Sequence, residues 1–377
     1  MRVSCLQENL ARGLSTVGRA VATRSTLPVL SNVLLAVDDA RLKLSATNLE
    51  LGINCWIGAK VEQDGAITVP ARLLTDLVNS LPPERIDMEL QARTQTLIVR
   101  CGRFEASIKG IDAQEFPIIS AADEDHAVRI DAGLLRDMIN QVCFAAATDE
   151  SRPVLTGVLT ELGPGGITMV AADGYRLSVR TAELPAQGES TASVIIPARA
   201  LQELARISAD EQEPIRLILS SSRNQAFFRL SSVDLITQLV EGTFPDFRQI
   251  MPRGHTTRTV LNTGDFLKAI RLAGLFARAN NDIVRLRVEP AGELVPGKVV
   301  VSAASSEIGS HMGELEATIE GTPIEIAFNA RFLTEVLSVI DSAEVALQTN
   351  TASTPGVLSP VGGDSFVHVI MPMHLDK

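Results

Sequence analysis

The side chains able to do chemistry in this chain are scattered rather than gathered. Its five histidines, His126, His255, His311, His368 and His374, include no pair at the i, i+4 spacing that would set two imidazoles on one helical face around a metal. The four cysteines, Cys5, Cys55, Cys101 and Cys143, stand more than 40 residues apart, which excludes a CxxC pair and leaves them as reduced, buried small hydrophobes. Gly163-Pro-Gly-Gly-Ile-Thr168 has the look of a phosphate loop, but the third glycine of GxGxxG is missing and no GxxxxGK[ST] occurs, so a hairpin turn is expected there. Asp149-Glu150 and Asp246 are acids with no repeated partner, which argues against a carboxylate dyad or a two-metal centre. The expectation is no catalytic constellation, no metal and no cofactor. The apolar ending Met371-Pro372-Met373 reads, on its residues alone, as an edge strand at the surface covering the core.

Such a surface needs elements to hold it, and these come in triplicate. Three stretches run a strand into a helix through an Ala-Arg pair; Ala71-Arg72, Ala198-Arg199 and Ala330-Arg331 lie 127 and 132 residues apart (198 − 71 and 330 − 198). Each third also opens on apolar residues at i, i+3, i+4 and i+7, in Leu6–Val17, Ile130–Val142 and Leu261–Leu272. That period predicts helices, with Asp131 and either Asn262 or Thr263 as N-caps. A strand and turn recur at Leu42–Asn48, Ile167–Gly174 and Val299–Ser305, and each third closes on Phe116-Pro117, Phe244-Pro245 or Met371-Pro372. Recurrence in one order at spacings of about 125 to 132 residues means three homologous domains. We expect them at 1–122, 128–252 and 258–377, with the polar segments Ser120–His126 and Pro252–Thr257 as linkers. Alternation such as Leu97-Ile-Val-Arg100, punctuated by Gly and Pro, adds short antiparallel strands, so each domain reads as α+β.

Composition fits an ordinary globular chain of 377 residues, 45% hydrophobic and 21% charged. With no export-like leader and no long apolar window, the expected place is the cytoplasm, away from membranes. The net charge of −11 argues at first against a polyanionic partner. It is unevenly spread. Residues 7–24 (Arg12, Arg19 and Arg24 against Glu8) and 263–280 (Lys268, Arg271 and Arg278 against Asp265) each carry +2. Residues 199–208 carry +1, 131–146 carry −1, and 72–81 and 331–340 are neutral, so the helical segments total +4 and the remainder −15. Mildly basic helices beside an acidic exterior can hold a phosphate backbone loosely, although helices that are merely less acidic would give the same sum. One Trp and one Tyr leave little for base stacking.

Arg24–Asn32, Ala172–Ser178, Phe244–Arg248 and Val369–Leu375, in this order, resemble the bacterial beta sliding clamp family, the beta subunits of DNA polymerase III, over the full length. The resemblance implies an α+β chain of three tandem DNA-clamp (processivity-fold) domains, each with two helices packed on antiparallel sheets. It implies a ring-forming, head-to-tail homodimer around double-stranded DNA, contacted without regard to sequence, and a non-catalytic accessory subunit that makes the replicative polymerase processive. It further implies a hydrophobic pocket for short peptides of the polymerase alpha subunit, the clamp loader, other polymerases and repair proteins. The positions matching that pocket are Leu155, Ala172, Gly174, Tyr175, Arg176 and Leu177 in the middle domain and Pro245, Gln249 and Ile250 at its end. The last domain adds Pro355, Val369, Ile370, Met371, Pro372, Met373, His374 and Leu375. Gln249 and His374 depart from the pattern, standing where Arg and a longer basic residue are common. By the same resemblance Arg24, Arg152 and Arg199 lie near the duplex, and Ile108 meets Leu275 and Phe276 across the protomer interface. Ala106 stands where a larger residue is often found, placing more of that interface on Phe276. Two other classes stay open on the residues alone: a multidomain α+β enzyme whose site forms only in three dimensions, and a protein-only scaffold that uses the Met371 surface without touching DNA.

Overall fold

The computed structural model describes residues 1–377 apart from 23, 118–126, 186–190, 221–223, 279, 294, 364 and 375–377. The expected linker Ser120–His126, with His126 itself, therefore lies outside the described residues. Pro252–Thr256 is irregular, and the strand that follows begins at Thr257, the last residue of the other expected linker.

Two compact units make up the chain, residues 1–136 with 203–239 and residues 137–202 with 240–377. In the first, a five-stranded sheet runs Lys60–Gln63, Arg2–Leu6, Arg85–Gln91, Thr96–Cys101, Phe104–Lys109. An eight-stranded sheet runs Val128–Ile130, Ile215–Ser220, Gln225–Arg229, Val233–Gln238, then Leu51–Ile57, Arg41–Thr47, Asn32–Asp38, Ala66–Pro70. Its middle-third strands join its first-third strands where Val233 faces Cys55 and Thr237 faces Leu51 in an antiparallel pair.

The second unit repeats the plan. A nine-stranded sheet runs Ala192–Pro197, Gly157–Gly163, Gly166–Ala172, Arg176–Ala182, then Phe366–Ile370, Gly356–Pro360, Glu344–Thr349, Thr257–Asn262, Thr318–Gly321. The join is again antiparallel, Arg176 facing Ile370 and Arg180 facing Phe366. A four-stranded sheet runs Gly309–Glu316, Lys298–Ser305, Ile283–Glu289, Ile324–Asn329. Each third thus supplies the same two half-sheets. Phe104–Lys109, Val233–Gln238 and Phe366–Ile370 are counterparts, as are Leu51–Ile57, Arg176–Ala182 and Gly309–Glu316. Among the described residues the latter two strands of the first set pair with the first two of the second, while Phe104–Lys109 and Gly309–Glu316 remain sheet edges.

Six α-helices lie among the described residues, two per third: α1 (Gln7–Val17), α2 (Ala71–Ser80), α3 (Ala132–Val142), α4 (Ala198–Ile207), α5 (Thr263–Ala277) and α6 (Ala330–Leu337). Their apolar stripes face the sheets: Leu10, Leu14 and Val17 of α1, Leu74 and Val78 of α2, Phe266, Ile270, Ala273 and Ala277 of α5 are buried. Because Ala273 and Ala277 continue that stripe, α5 runs past the expected end at Leu272. Asp131 caps α3 by accepting from the Leu134 N–H at 2.8 Å, and of the two candidates for α5 it is Asn262 that accepts, from Asp265 at 3.0 Å. The helices proper are less basic than the sequence segments suggested. α1 stops before Arg19 and Arg24 and α5 before Arg278, so α4 and α5 carry +1 each, the other four are neutral, and the rest of the chain carries −13 (−11 − 2).

Gly13 shows how closely α1 lies on its sheet: a Cβ there would meet Leu44 Cδ1 at 2.6 Å and Ile57 Cγ2 at 3.1 Å, both on buried residues. Gly18, at the helix end, has nothing within 4 Å. Alanine gains up to about 1 kcal/mol of helix propensity, whereas overpacking a filled core costs about 1 to 3 kcal/mol. Gly13→Ala should therefore lower the urea midpoint and Gly18→Ala leave it unchanged or raise it; equal midpoints for both would refute the close approach.

Candidate docking surface

The residues expected to take peptides all belong to the second unit, and their placement starts from one four-residue turn. Between the strands Gly166–Ala172 and Arg176–Ala182, Asp173 Oδ1 accepts the backbone N–H groups of Tyr175 (2.9 Å) and Arg176 (3.0 Å). Gly174 takes φ +94°, a conformation that favours glycine, and a Cβ there would lie 3.0 Å from Arg152 Nη1, a contact the arginine could relieve by shifting. The turn leaves the Tyr175 ring 63% exposed, and the Tyr175 carbonyl accepts from Met371 N–H at 2.9 Å, carrying the chain end past it. Met373 N–H is then tied to the Ala327 carbonyl at 2.8 Å.

Strand alternation sorts the neighbours. Leu177 and Val369 face each other and join Ala172, Leu159, Val170 and Phe247 in one buried apolar cluster, with Val154, Phe244 and Met251 against it. Leu155 is also buried. Above this floor Tyr175, Ile250 and Met371 stay exposed, an apolar surface of the kind that marks a recognition site. Gly174, Pro245, Gln249 and His374 are exposed too, Pro355, Pro372 and Met373 half-buried, and Leu375 lies outside the described residues. The Gln249 amide donates to Asp246 Oδ2 at 2.9 Å, and Arg248 pairs with Glu161 at 2.7 Å.

Arg176 and Ile370 turn the other way. Ile370 belongs to the core of the last third. Arg176, 7% exposed, binds Asp173 Oδ2 at 3.0 Å, the Phe144 carbonyl at 2.6 Å and Glu335 of α6, with its guanidinium over the rings of Phe332 (4.3 Å) and Phe144 (5.3 Å). On the same face Ser178 Oγ lies 2.7 Å from Nδ1 of the fully buried His368, which stacks on Phe144. Sequence reasoning missed Asp173, Phe144, Phe247 and Glu335; only Asp173, an Asx residue before a turn glycine, gave a local signal.

The residues expected near DNA are divided between the two units. Arg24 is exposed in the first unit; Arg199, exposed on the first turn of α4, and Arg152 lie in the second. Arg152 donates to the Asp173 carbonyl at 3.1 Å, placing it beside the docking turn. Of the expected interface residues, Ile108 is 3% exposed on the edge strand Phe104–Lys109, Leu275 is 53% exposed on α5, and half-buried Phe276 stacks on His311.

Other reactive groups are structural. Gly163 faces Gly166 across a hairpin, as expected. Ser151 binds Asp149 through N–H (2.9 Å) and Oγ (2.6 Å), holding its carboxyl below the usual range and making it a loop cap. All four cysteines are free and buried, and burial pushes Cys5 up to about 12 and Cys55 up to about 11. Among the described residues no group of three or more His, Cys, Asp or Glu could hold a metal, and no helix is long and apolar enough to cross a membrane.

Three copies of one two-helix, two-half-sheet domain, with an apolar turn surface where two copies join, define a tandem protein of the DNA-clamp fold. Family models for the N-terminal, central and C-terminal domains of the DNA polymerase III beta subunit match residues 1–120, 129–246 and 248–374. The beta sliding clamp of Synechococcus elongatus is 33% identical over 379 residues, covering 100% of both chains, and that of Bacillus subtilis is 30% identical over 99% of both. The crystal structure of the Bacillus subtilis clamp superposes with a TM-score of 0.93 at 28% identity, and that of the Pseudomonas aeruginosa clamp bound to griselimycin with 0.92 at 28%, each over 100% of both chains. The chain belongs to the DNA polymerase III beta subunit family, the beta sliding clamps.

Burial first, and the charge of Arg176 second, push His368 down from 6.5 to about 3. The unfolded chain takes up that proton first, so the stability tied to this residue is whole above about pH 6.5 and drains away as pH falls towards 3. The urea midpoint should fall between pH 7 and pH 4, and less steeply in His368→Phe; parallel curves would assign the loss to other groups.

Proposed function

We propose that two copies of this chain close head to tail into a ring around duplex DNA, holding the replicative polymerase on its template. The observation that carries this reading is the unfinished third junction. The repeat makes the same strand pairing twice within the chain and leaves Phe104–Lys109 and Gly309–Glu316 as edges. Exposed apolar side chains lie on these edges and beside them: Phe104 (60%) on one unit, Met312 (69%), Ile308, Leu272 and Leu275 on the other. Unpaired main-chain groups and exposed apolar side chains are a liability in a monomer and a complementary pair in a head-to-tail dimer. Phe104, Met312 and Ile308 are thus added to Ile108, Leu275 and Phe276 as interface residues.

Inside such a ring the duplex is retained by enclosure. Helices of slight positive charge, with Arg24 and Arg199 as exposed contacts, guide it without gripping, and the −13 elsewhere keeps DNA off the outer surface. The chain acts as a non-catalytic accessory subunit in the cytoplasm, with domains at 1–122, 128–252 and 258–377. Its docking surface, floored by Leu155, Leu177 and Val369 and bordered by Tyr175, Ile250 and Met371, takes apolar peptide segments of the polymerase alpha subunit, the clamp loader and repair proteins. Griselimycin, the ligand of the Pseudomonas aeruginosa clamp, is a ready probe of it.

In solution the protein should run at twice 40.4 kDa, and Phe104→Arg with Met312→Arg should run at 40.4 kDa with its fold intact. Protein loaded on circular DNA should leave when the circle is cut; equal retention on circular and linear DNA would overturn enclosure. Met371→Asp places a charge among apolar groups and should weaken griselimycin binding at least tenfold by calorimetry, whereas unchanged affinity would move the docking site elsewhere.

A further inference from the structure

Glu335 on α6 holds two arginines at once. Its Oε1 accepts from Arg331 Nε, four residues earlier, at 2.9 Å, while its Oε2 accepts from Arg176. The two partners live in different surroundings: the Arg331 side chain is 69% exposed and that of Arg176 is 6% exposed, with Glu335 between them at 27%. Arg176 then grips Asp173 Oδ2 at 3.0 Å, and Asp173 Oδ1 holds the N–H of Tyr175 at 2.9 Å. Tyr175 in turn presents its ring at the docking surface and binds Met371 through its carbonyl. A continuous run of charge-assisted hydrogen bonds, Arg331–Glu335–Arg176–Asp173–Tyr175, thus leads from the exposed side of a helix to the turn that forms the peptide site.

We propose that Glu335 is a shared acceptor through which α6 and the docking surface sense each other, so that a phosphate backbone engaging Arg331 strengthens peptide binding. This rests on the reading of the docking surface given above. A carboxylate divided between two guanidinium groups gives each less than its full attraction. When phosphate oxygens take Arg331, Glu335 is left to Arg176 alone. The buried Arg176 cannot turn to water, so the gain appears as a guanidinium held more rigidly in place, with the Asp173–Tyr175 turn it abuts already ordered before the peptide arrives. Pre-ordering removes part of the entropy cost of docking, and by linkage a docked peptide returns the same factor to phosphate binding. The exposed Arg331–Glu335 pair limits the size: an i, i+4 pair of this kind supports a change of about twofold.

The test is a double-mutant cycle read by griselimycin calorimetry on the full chain. Arg331→Ala should tighten griselimycin about twofold, mimicking an Arg331 withdrawn by phosphate, and short duplex DNA at low salt should tighten the unsubstituted protein similarly while leaving Arg331→Ala unmoved. Glu335→Gln should weaken binding several-fold through Arg176, and adding Arg331→Ala in that background should do nothing further. An unchanged affinity in Arg331→Ala, the same shift in both backgrounds, or weakening by DNA through direct competition would each overturn the coupling. Griselimycin that ignores Met371→Asp would instead overturn the docking surface and the coupling with it.

Discussion

Everything in this protein turns on the pairing of open strand edges. A strand at the edge of a sheet carries a row of N–H and C=O groups facing outward, and leaving them without partners in a dry place costs far more than a hydrogen bond returns. The chain answers this twice by running one domain's sheet into the next, at Val233–Thr237 with Leu51–Cys55 and at Arg176–Arg180 with Phe366–Ile370. Water alone could satisfy the main chain of the remaining edges, but not the side chains of Phe104 and Met312. The proposed ring is the arrangement in which one pairing rule serves three times per copy.

The second of these junctions is also where the docking turn sits. Strand pairing is indifferent to a slip of one residue unless side chains forbid it. Here Ser178 meets His368 at 2.7 Å and Arg176 is held by three acceptors, so a slip would strand a buried imidazole and a buried guanidinium on the wrong face. Such groups contribute little net stability and much specificity of register, because breaking one leaves a polar group uncompensated. With the register fixed, Leu177 and Val369 form the floor and Tyr175 and Met371 stand above it.

The triplication was legible because it is local: Ala-Arg pairs, helix periods and endings of an apolar residue before proline recur in order without knowledge of which strand lies beside which. Sheet pairing is not local. Nothing near Val233 says that its neighbour is Cys55, so the exposed Phe104 and Met312 on the unpaired edges went unread. The docking residues were found through family resemblance, yet simple alternation along Tyr175-Arg176-Leu177 would have put Arg176 on the face opposite Leu177. Its partners Phe144 and Glu335 lie 32 and 159 residues away, beyond any sequence pattern. The helical charge was overstated because α1 ends at Val17, leaving Arg19 and Arg24 outside it.

The lower figure sharpens the physical picture rather than weakening it. A protein that neutralised many phosphates would bind with log affinity falling by about 0.9 per phosphate per log unit of salt, and each step along the duplex would break those contacts. Six helices with a net +2 offer DNA little attraction, so in the proposed ring persistence on the template comes from topology. The docking surface follows the complementary logic. Arg248 and Arg176 are committed to Glu161, Asp173 and Glu335, and Arg152 donates to the Asp173 carbonyl, which leaves apolar contact as the main attraction for a partner in the proposed docking. Apolar contact is undirected and adaptable, especially through Met371, so successive partners of different sequence can use one surface and leave it. In the proposed assembly the many-bonded strand edges serve closure, which must last, and a small exposed turn serves docking, which must be reversed.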